Sequence, residues 1–250
     1  MIISGNLGST LRRVLSKFVH KGSDDYSQLG EQMVILNILS RMDQASLNKI
    51  YLDIGAYHPF KGSNTYKLYL KNWKGIVVDP NPEKIKRFIA VRPNDICLTK
   101  AVIPDSWNIT EVEMLATGKN DARESITPAL NKNNHLHFNK ELADYSYMAS
   151  AMKVSDVLTT CSEILGIPAF MSVDIEGLES DLIQSIDFSK YPIPLLCVEH
   201  FLSEFTQEKS VFGYQKSLMV QYLDSAGYEL VSVCGISLIL AHRNYYVPYG

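Results

Sequence analysis

A chain of 250 residues with 24 basic and 27 acidic side chains is long enough for one α/β domain with decorations, and its net charge of −3 gives no basic excess for nucleic acid. Its 46% hydrophobic and 20% charged residues are ordinary for a globular protein. No apolar run approaches the roughly 20 residues needed to cross a bilayer.

The start, Met1-Ile2-Ile3-Ser4-Gly5, lacks the basic leader and apolar core of a signal peptide. Residues 7–21 set Leu7, Leu11, Val14, Leu15, Phe18 and Val19 at helical spacing, with Arg12, Arg13, Lys17 and Lys21 elsewhere. That predicts a helix lying on its own domain, with peripheral membrane contact as the alternative. A second amphipathic helix is expected over 26–43. The two make an N-terminal helical extension, 1–46, ahead of a single domain over 47–250. The cysteines Cys97, Cys161, Cys197 and Cys234 form no C-x-x-C pair, which argues against a zinc cluster. Three of them sit in apolar runs, as reduced thiols of a cytoplasmic protein would.

Strand one is read at 50–54 and ends in Asp53-Ile54-Gly55-Ala56. A helix is expected next, over 64–72, then strand two from Gly75 to Asp79. Pro82 opens a helix to about Ala90, since proline suits a first helical turn. Residues 95–103 contain strand three, and 109–115 alternate as a strand should. The βα rhythm breaks over 116–150, a polar stretch holding His135 and His137, read as an acceptor-binding insertion with disorder as its competitor. Ser155 is expected to cap a helix through Leu165, closed by Gly166. Strands four and five fall at 169–173 and 195–198, and a helix at 214–226. Two final strands, 229–233 and 236–241, are separated only by Cys234-Gly235. So short a link forces an antiparallel hairpin, because parallel strands need a crossover of about a dozen residues or more.

Asp53 and Asp79 both end apolar strands, and Asp79 lies 24 residues beyond Gly55. This is the layout of a nucleotide-binding α/β unit, with the second acid on the ribose hydroxyls. The three-glycine G-x-G-x-x-G turn is missing, since the next glycine after Gly55 is Gly62. An adenosine ligand without a pyrophosphate, S-adenosylmethionine, therefore suits the site better than NAD. Asp174 and Glu176 lie just past strand four, and Glu199-His200 end strand five, at the edge where open α/β sheets place ligands. Asp174, Glu176, Glu199 and His200 are the catalytic candidates. Asp174, Glu199 and His200 are candidate ligands of Mg2+ or Mn2+, hard cations that prefer oxygen. Without a metal, His200 would be the base and Glu199 or Asp174 its orienter. Glu179 is read as an acid favouring its helix dipole, and His58 as a loop residue that could face the site.

These residues together resemble the FkbM-type methyltransferase family. The resemblance covers residues 50–200. It rests on Asp53-Ile54-Gly55-Ala56, Asn64-Thr65, Val78-Asp79-Pro80-Asn81-Pro82, Val154-Ser155-Asp156-Val157-Leu158, the block Ser172-Val173-Asp174-Ile175-Glu176-Gly177-Leu178-Glu179, and Val198-Glu199-His200. It implies a Rossmann-like class I methyltransferase fold: a mostly parallel seven-stranded sheet with a C-terminal antiparallel hairpin and helices on both faces. It further implies S-adenosylmethionine as cofactor and methyl transfer to a hydroxyl of a sugar, nucleotide sugar, polysaccharide or glycolipid. The expected cofactor set is Asp53, Gly55, Ala56, Tyr57, Asn64, Thr65, Asp79, Pro80 and Ala101. Tyr57-His58-Pro59 departs from the glycine-rich continuation common in the broader family. Alternatives are a natural-product acceptor, an NAD-dependent sugar dehydrogenase or epimerase (which lacks its Tyr-x-x-x-Lys pair here), and a non-catalytic scaffold. A homodimer is a further expectation.

Overall fold

The computed structural model describes residues 25–45, 47–116, 124–126, 143–200 and 211–246. The helix expected over 7–21 and both His135 and His137 lie outside these residues. Along the chain run α1 (Glu31–Arg41), β1 (Ile50–Ile54), α2 (Tyr66–Leu70), β2 (Lys74–Asp79), α3 (Pro82–Val91), β3 (Ile96–Thr99) and β4 (Ala101–Ile103). Then come β5 (Glu111–Ala116), β6 (Glu124–Ile126), β7 (Tyr145–Lys153), α4 (Val154–Ile164), β8 (Phe170–Val173) and α5 (Glu179–Gln184). The chain continues through β9 (Leu195–Glu199), α6 (Val211–Gln215), α7 (Leu218–Ser225), β10 (Tyr228–Cys234) and β11 (Ser237–His242).

The main sheet has seven strands in the order β10-β11-β9-β8-β1-β2-β3. β3, β2, β1, β8 and β9 pair in parallel, and β11 runs antiparallel to both β9 and β10. The expected parallel sheet with a terminal hairpin is therefore present; its link is Gly235-Ile236, one residue later than the sequence suggested. The helix expected over 214–226 is two short helices, α6 and α7, the second capped by the Ser217 hydroxyl.

The core explains the pattern of the strands. Leu52, Ile54, Ile76, Val78, Met171, Val173, Leu196 and Val198 bury one face against Val157 and Cys161 of α4, Leu182 and Ile183 of α5 and Leu223 of α7. Tyr51, Val77, Phe170, Leu195 and Ile239 bury the other against Ile35, Ile38 and Leu39 of α1, Leu68 of α2 and Phe88 of α3. Strands buried on both faces read as unbroken apolar runs, as these do. α1 is thus a layer of the core rather than an appendage to it.

Strand three lies within 95–103 as expected, but it does not run the whole segment: Lys100 ends it, and β4 leaves the main sheet for a second, four-stranded sheet of order β4-β7-β5-β6. Nor is 116–150 irregular where it is described, because Tyr145–Lys153 pairs along the whole of β5. Ser155 does not cap α4; the helix begins at Val154, and the Asp105 carboxylate, 50 residues away, accepts the Ser155 N–H at 3.1 Å.

Candidate active site

Strand alternation decides which side chains meet. Asp53 lies opposite Ser172 in the β1–β8 register, and Ser172 opposite Cys197 in the β8–β9 register. Residues two apart share a face, so Asp53, Asp79, Ser172, Cys197 and Glu199 all project toward the α1–α3 side. Asp174 extends β8 on that side. The carboxyl ends of four parallel strands therefore gather acids at one edge.

There they line a cavity of about 540 Å³. Of the expected residues, Asp53, Gly55, Ala56, Tyr57, Asn64, Asp79, Pro80, Ala101, Asp174, Glu176 and Glu199 line it. Thr65 stands behind Asp53, to which its hydroxyl donates a short hydrogen bond. His200 does not line the cavity; burial depresses its pKa, and its ring sits 6.2 Å from that of Tyr214. His58 turns to its own loop, its Nδ1 accepting from the N–H groups of Phe60 and Lys61.

Gly55 has a reason that its sequence context does not show. A Cβ there would sit 1.6 Å from the backbone oxygen of Asp174, and its φ is +79°. The glycine lets β1 cross beside the end of β8, which brings the first acid motif against the second. Asp79 is held from three sides. Its oxygens accept from the N–H of Tyr57 at 3.1 Å and of Asn81 at 2.8 Å, and buried Lys84 places Nζ 3.9 Å away. So held, Asp79 lines the cavity at the end of β2.

The loop after β8 is shaped by Glu179. Its buried carboxylate accepts from the N–H of Ile175 at 2.9 Å and of Gly177 at 2.9 and 3.1 Å. This pins Glu176 in the left-handed region at φ 57°, a conformation that costs a non-glycine residue energy. Glu179 does more than favour a dipole: it folds the loop that presents Asp174 and Glu176.

Asp174, Glu176 and Glu199 can each place one carboxylate oxygen within 4.8 Å of the others. Burial drives Glu199 up to about 7. Burial, then the neighbouring Glu199 carboxyl, raises Asp174 well above the usual carboxylate range. The two carboxyls disfavour each other's ionisation at this distance. The second oxygen of Glu199, Oε2, and the Asn64 Oδ1 are buried without a hydrogen-bond partner. Asn64, Asp174 and Glu199 also line a second small cavity of about 20 Å³ with Glu31 and Ser237. Among the described residues this oxygen-rich trio is the cluster suited to a cation; His200 is not part of it.

Sequence reasoning missed Lys84, Ser172, Arg92 and Lys61. Ser172 was legible from the register once Asp53 was placed. Lys84 and Arg92 resembled ordinary cations on an exposed helix.

Comparison with known proteins returns a family model, the methyltransferase FkbM domain, matching residues 53–230. The crystal structure of a TehB-like SAM-dependent methyltransferase from Corynebacterium glutamicum is similar at 11% identity, with 94% of this chain and 98% of that chain covered and a TM-score of 0.39. No curated protein matches.

Proposed function

This chain belongs to the FkbM methyltransferase family, and from that premise we propose that it moves a methyl group from S-adenosylmethionine to a hydroxyl of a sugar-like acceptor. The observation that carries the reading is the charge of the cavity. Asp53, Asp79, Asp174, Glu176 and Glu199 face Lys61 and Lys84. An acidic wall of this kind attracts a sulfonium cation and opposes the pyrophosphate of NAD. In this reading Asp79 accepts both ribose hydroxyls, Asp53 accepts the ammonium of the methionine end, and the unpartnered Asn64 Oδ1 is a further acceptor.

In this reading Asp174, Glu176 and Glu199 hold one Mg2+ or Mn2+ ion. The donor set is all carboxylate, which suits a hard cation, and the unpartnered Glu199 Oε2 is a buried acceptor of the kind an ion would satisfy. The ion, when bound, would lower the pKa of the acceptor hydroxyl and orient it. A metal-free version is favoured by one observation, the rise of Glu199 to about 7. That value suits a general base near neutral pH, and in this version the base would be Glu199, which lines the cavity, rather than His200, which does not.

Calorimetric titration with S-adenosylhomocysteine and with NAD, each with and without Mg2+, tests the proposal. Micromolar binding of S-adenosylhomocysteine alone is expected, and Mg2+ should bind wild type but not Asp174→Asn. Binding of NAD in its place would overturn the cofactor reading. Full transfer after chelation would overturn the metal and leave Glu199 as the base.

A further inference from the structure

Among the described residues the largest fully buried side chain is a charged one. Arg92 lies just past the last turn of α3 and is 0% exposed. Its Nε donates to Asp95 Oδ2 at 2.6 Å and its Nη2 to the Tyr51 hydroxyl at 2.8 Å. Nη1 and Nη2 both donate to Thr65 Oγ1, each at 3.1 Å. Nη1 also reaches the Pro59 carbonyl at 3.4 Å, so the guanidinium ties down the 59–65 loop that walls the cavity.

Thr65 gives this network its direction. A hydroxyl has one proton to donate and two lone pairs to accept with. Thr65 Oγ1 accepts from Arg92 and lies 3.3 Å from Ser63 Oγ, and its own proton goes to the carboxylate: Thr65 donates to Asp53 Oδ2. Asp95 neutralises Arg92 at 2.6 Å. Burial raises the pKa of Asp53, and the Arg92 guanidinium and the Thr65 hydroxyl oppose that rise, so both favour the charged form of the member that lines the cavity.

We propose that Arg92 and Thr65 are positioning residues that hold the Asp53 carboxylate aimed at the cavity as the receptor for a primary ammonium group, the amino-acid end of the cofactor. The inference rests on the S-adenosylmethionine reading above and adds the residues that set the affinity for one end of that ligand. Arg92 touches no ligand; it acts through Thr65. The arrangement makes a ligand with the ammonium distinguishable from one without it, which general structural support would not do.

The test compares S-adenosylhomocysteine with 5′-methylthioadenosine, which keeps the adenosine and sulfur but has no amino-acid end. Calorimetry on full-length wild type, Thr65→Val, Thr65→Ser and Arg92→Lys is sufficient. Thr65→Val should weaken S-adenosylhomocysteine by about tenfold or more, the loss of one charge-assisted contact, and leave methylthioadenosine unchanged. Thr65→Ser, which keeps the hydroxyl, should restore wild-type affinity. Arg92→Lys should behave as Thr65→Val does where it folds; the threonine pair carries the test where it does not. Equal weakening of both ligands in Thr65→Val, or no weakening of either, would overturn the inference while leaving the cofactor reading intact. Failure of wild type to bind either ligand would overturn both.

Discussion

Replacing Gly55 by alanine tests whether the two acid motifs are joined by packing. The added Cβ would lie 1.6 Å from the Asp174 oxygen and 2.6 Å from its carbonyl carbon. Atoms in van der Waals contact sit about 3.5 Å apart, so the crossing must open by roughly 2 Å. The backbone there is tied in place: the Gly55 N–H donates to Val78 O at 2.9 Å and the Asp174 N–H to Ile54 O at 2.9 Å. Left-handed backbone costs alanine about 1–2 kcal/mol and overpacking about 1–3 kcal/mol more. A loss of about 2–5 kcal/mol is expected, a large share of the about 5–15 kcal/mol that holds a domain together. Gly62 supplies the control, since its φ is +65° but nothing lies within 4 Å of its Cβ position. Gly62→Ala should therefore lose only the left-handed cost, about 1–2 kcal/mol. Urea unfolding of both variants, read from the midpoint at constant m, measures the difference. Equal losses would refute the crowding argument and return Gly55 to the role of letting a ligand approach.

Asp174→Asn should lower transfer by about 100-fold or more with no fall in melting temperature, because it removes a buried carboxyl that desolvation disfavours; a steady-state assay beside a thermal melt checks both. Glu179 rises by burial from its ordinary 4.5 to about 7, so the folded state binds its proton more tightly than the unfolded one. Unfolding free energy should then fall as pH rises from about 4.5 to 7, by up to about 3 kcal/mol, and level off above. Urea midpoints across that range should show the slope, shared with Glu199, and Glu179→Gln should flatten it. Transfer itself should increase with pH through about 7 as Glu199 loses its proton, and a rate unchanged between pH 6 and 8, a range chosen from general acid–base behaviour, would remove Glu199 from the chemistry. Lys84→Met should weaken S-adenosylhomocysteine about fivefold through Asp79, an effect of about 1 kcal/mol, measurable by calorimetry.

The fold was readable where burial left its mark on residue type. β1, β2, β8 and β9 are covered on both faces, so Tyr51-Leu52, Ile76-Val77-Val78, Phe170-Met171 and Leu195-Leu196 announce strands, and each has an acid within one residue of its last position. β7 was unreadable for the opposite reason. Tyr145 and Tyr147 are half-buried while Ser146 and Met148 are exposed, and neither face is apolar enough to stand out. The break at Lys100 depends on a bond outside its own segment, its N–H donating to Asp79 O at 3.2 Å. The site divided in the same way. Acids at strand ends are placed by the pleat, which sequence reveals. Arg92 is placed by contacts with Tyr51 and Thr65, 41 and 27 residues away, and its neighbours in sequence say nothing of them.

That division explains how five acids can share one cavity. Asp79 is balanced by Lys84, and Asp53 is held through Thr65 by Arg92, which Asp95 already neutralises. Asp174 and Glu199 line the small cavity, whose other walls are Gln28, Glu31, Gly62, Asn64, Ser172, Val173, Cys197 and Ser237, with no basic side chain among these described residues. Like charges this close cannot all ionise without a cation, and burial drives both Asp174 and Glu199 above the ordinary carboxylate range. The two halves of the site then differ in kind. The Asp53–Asp79 half is prepared in advance, its carboxylates fixed by N–H, hydroxyl and ammonium donors, as a binding site for a cationic nucleoside should be. The Asp174–Glu199 half sets carboxyls that resist ionisation side by side, which in the proposed reading suits a centre that takes a proton from a hydroxyl or gives one up to a metal ion.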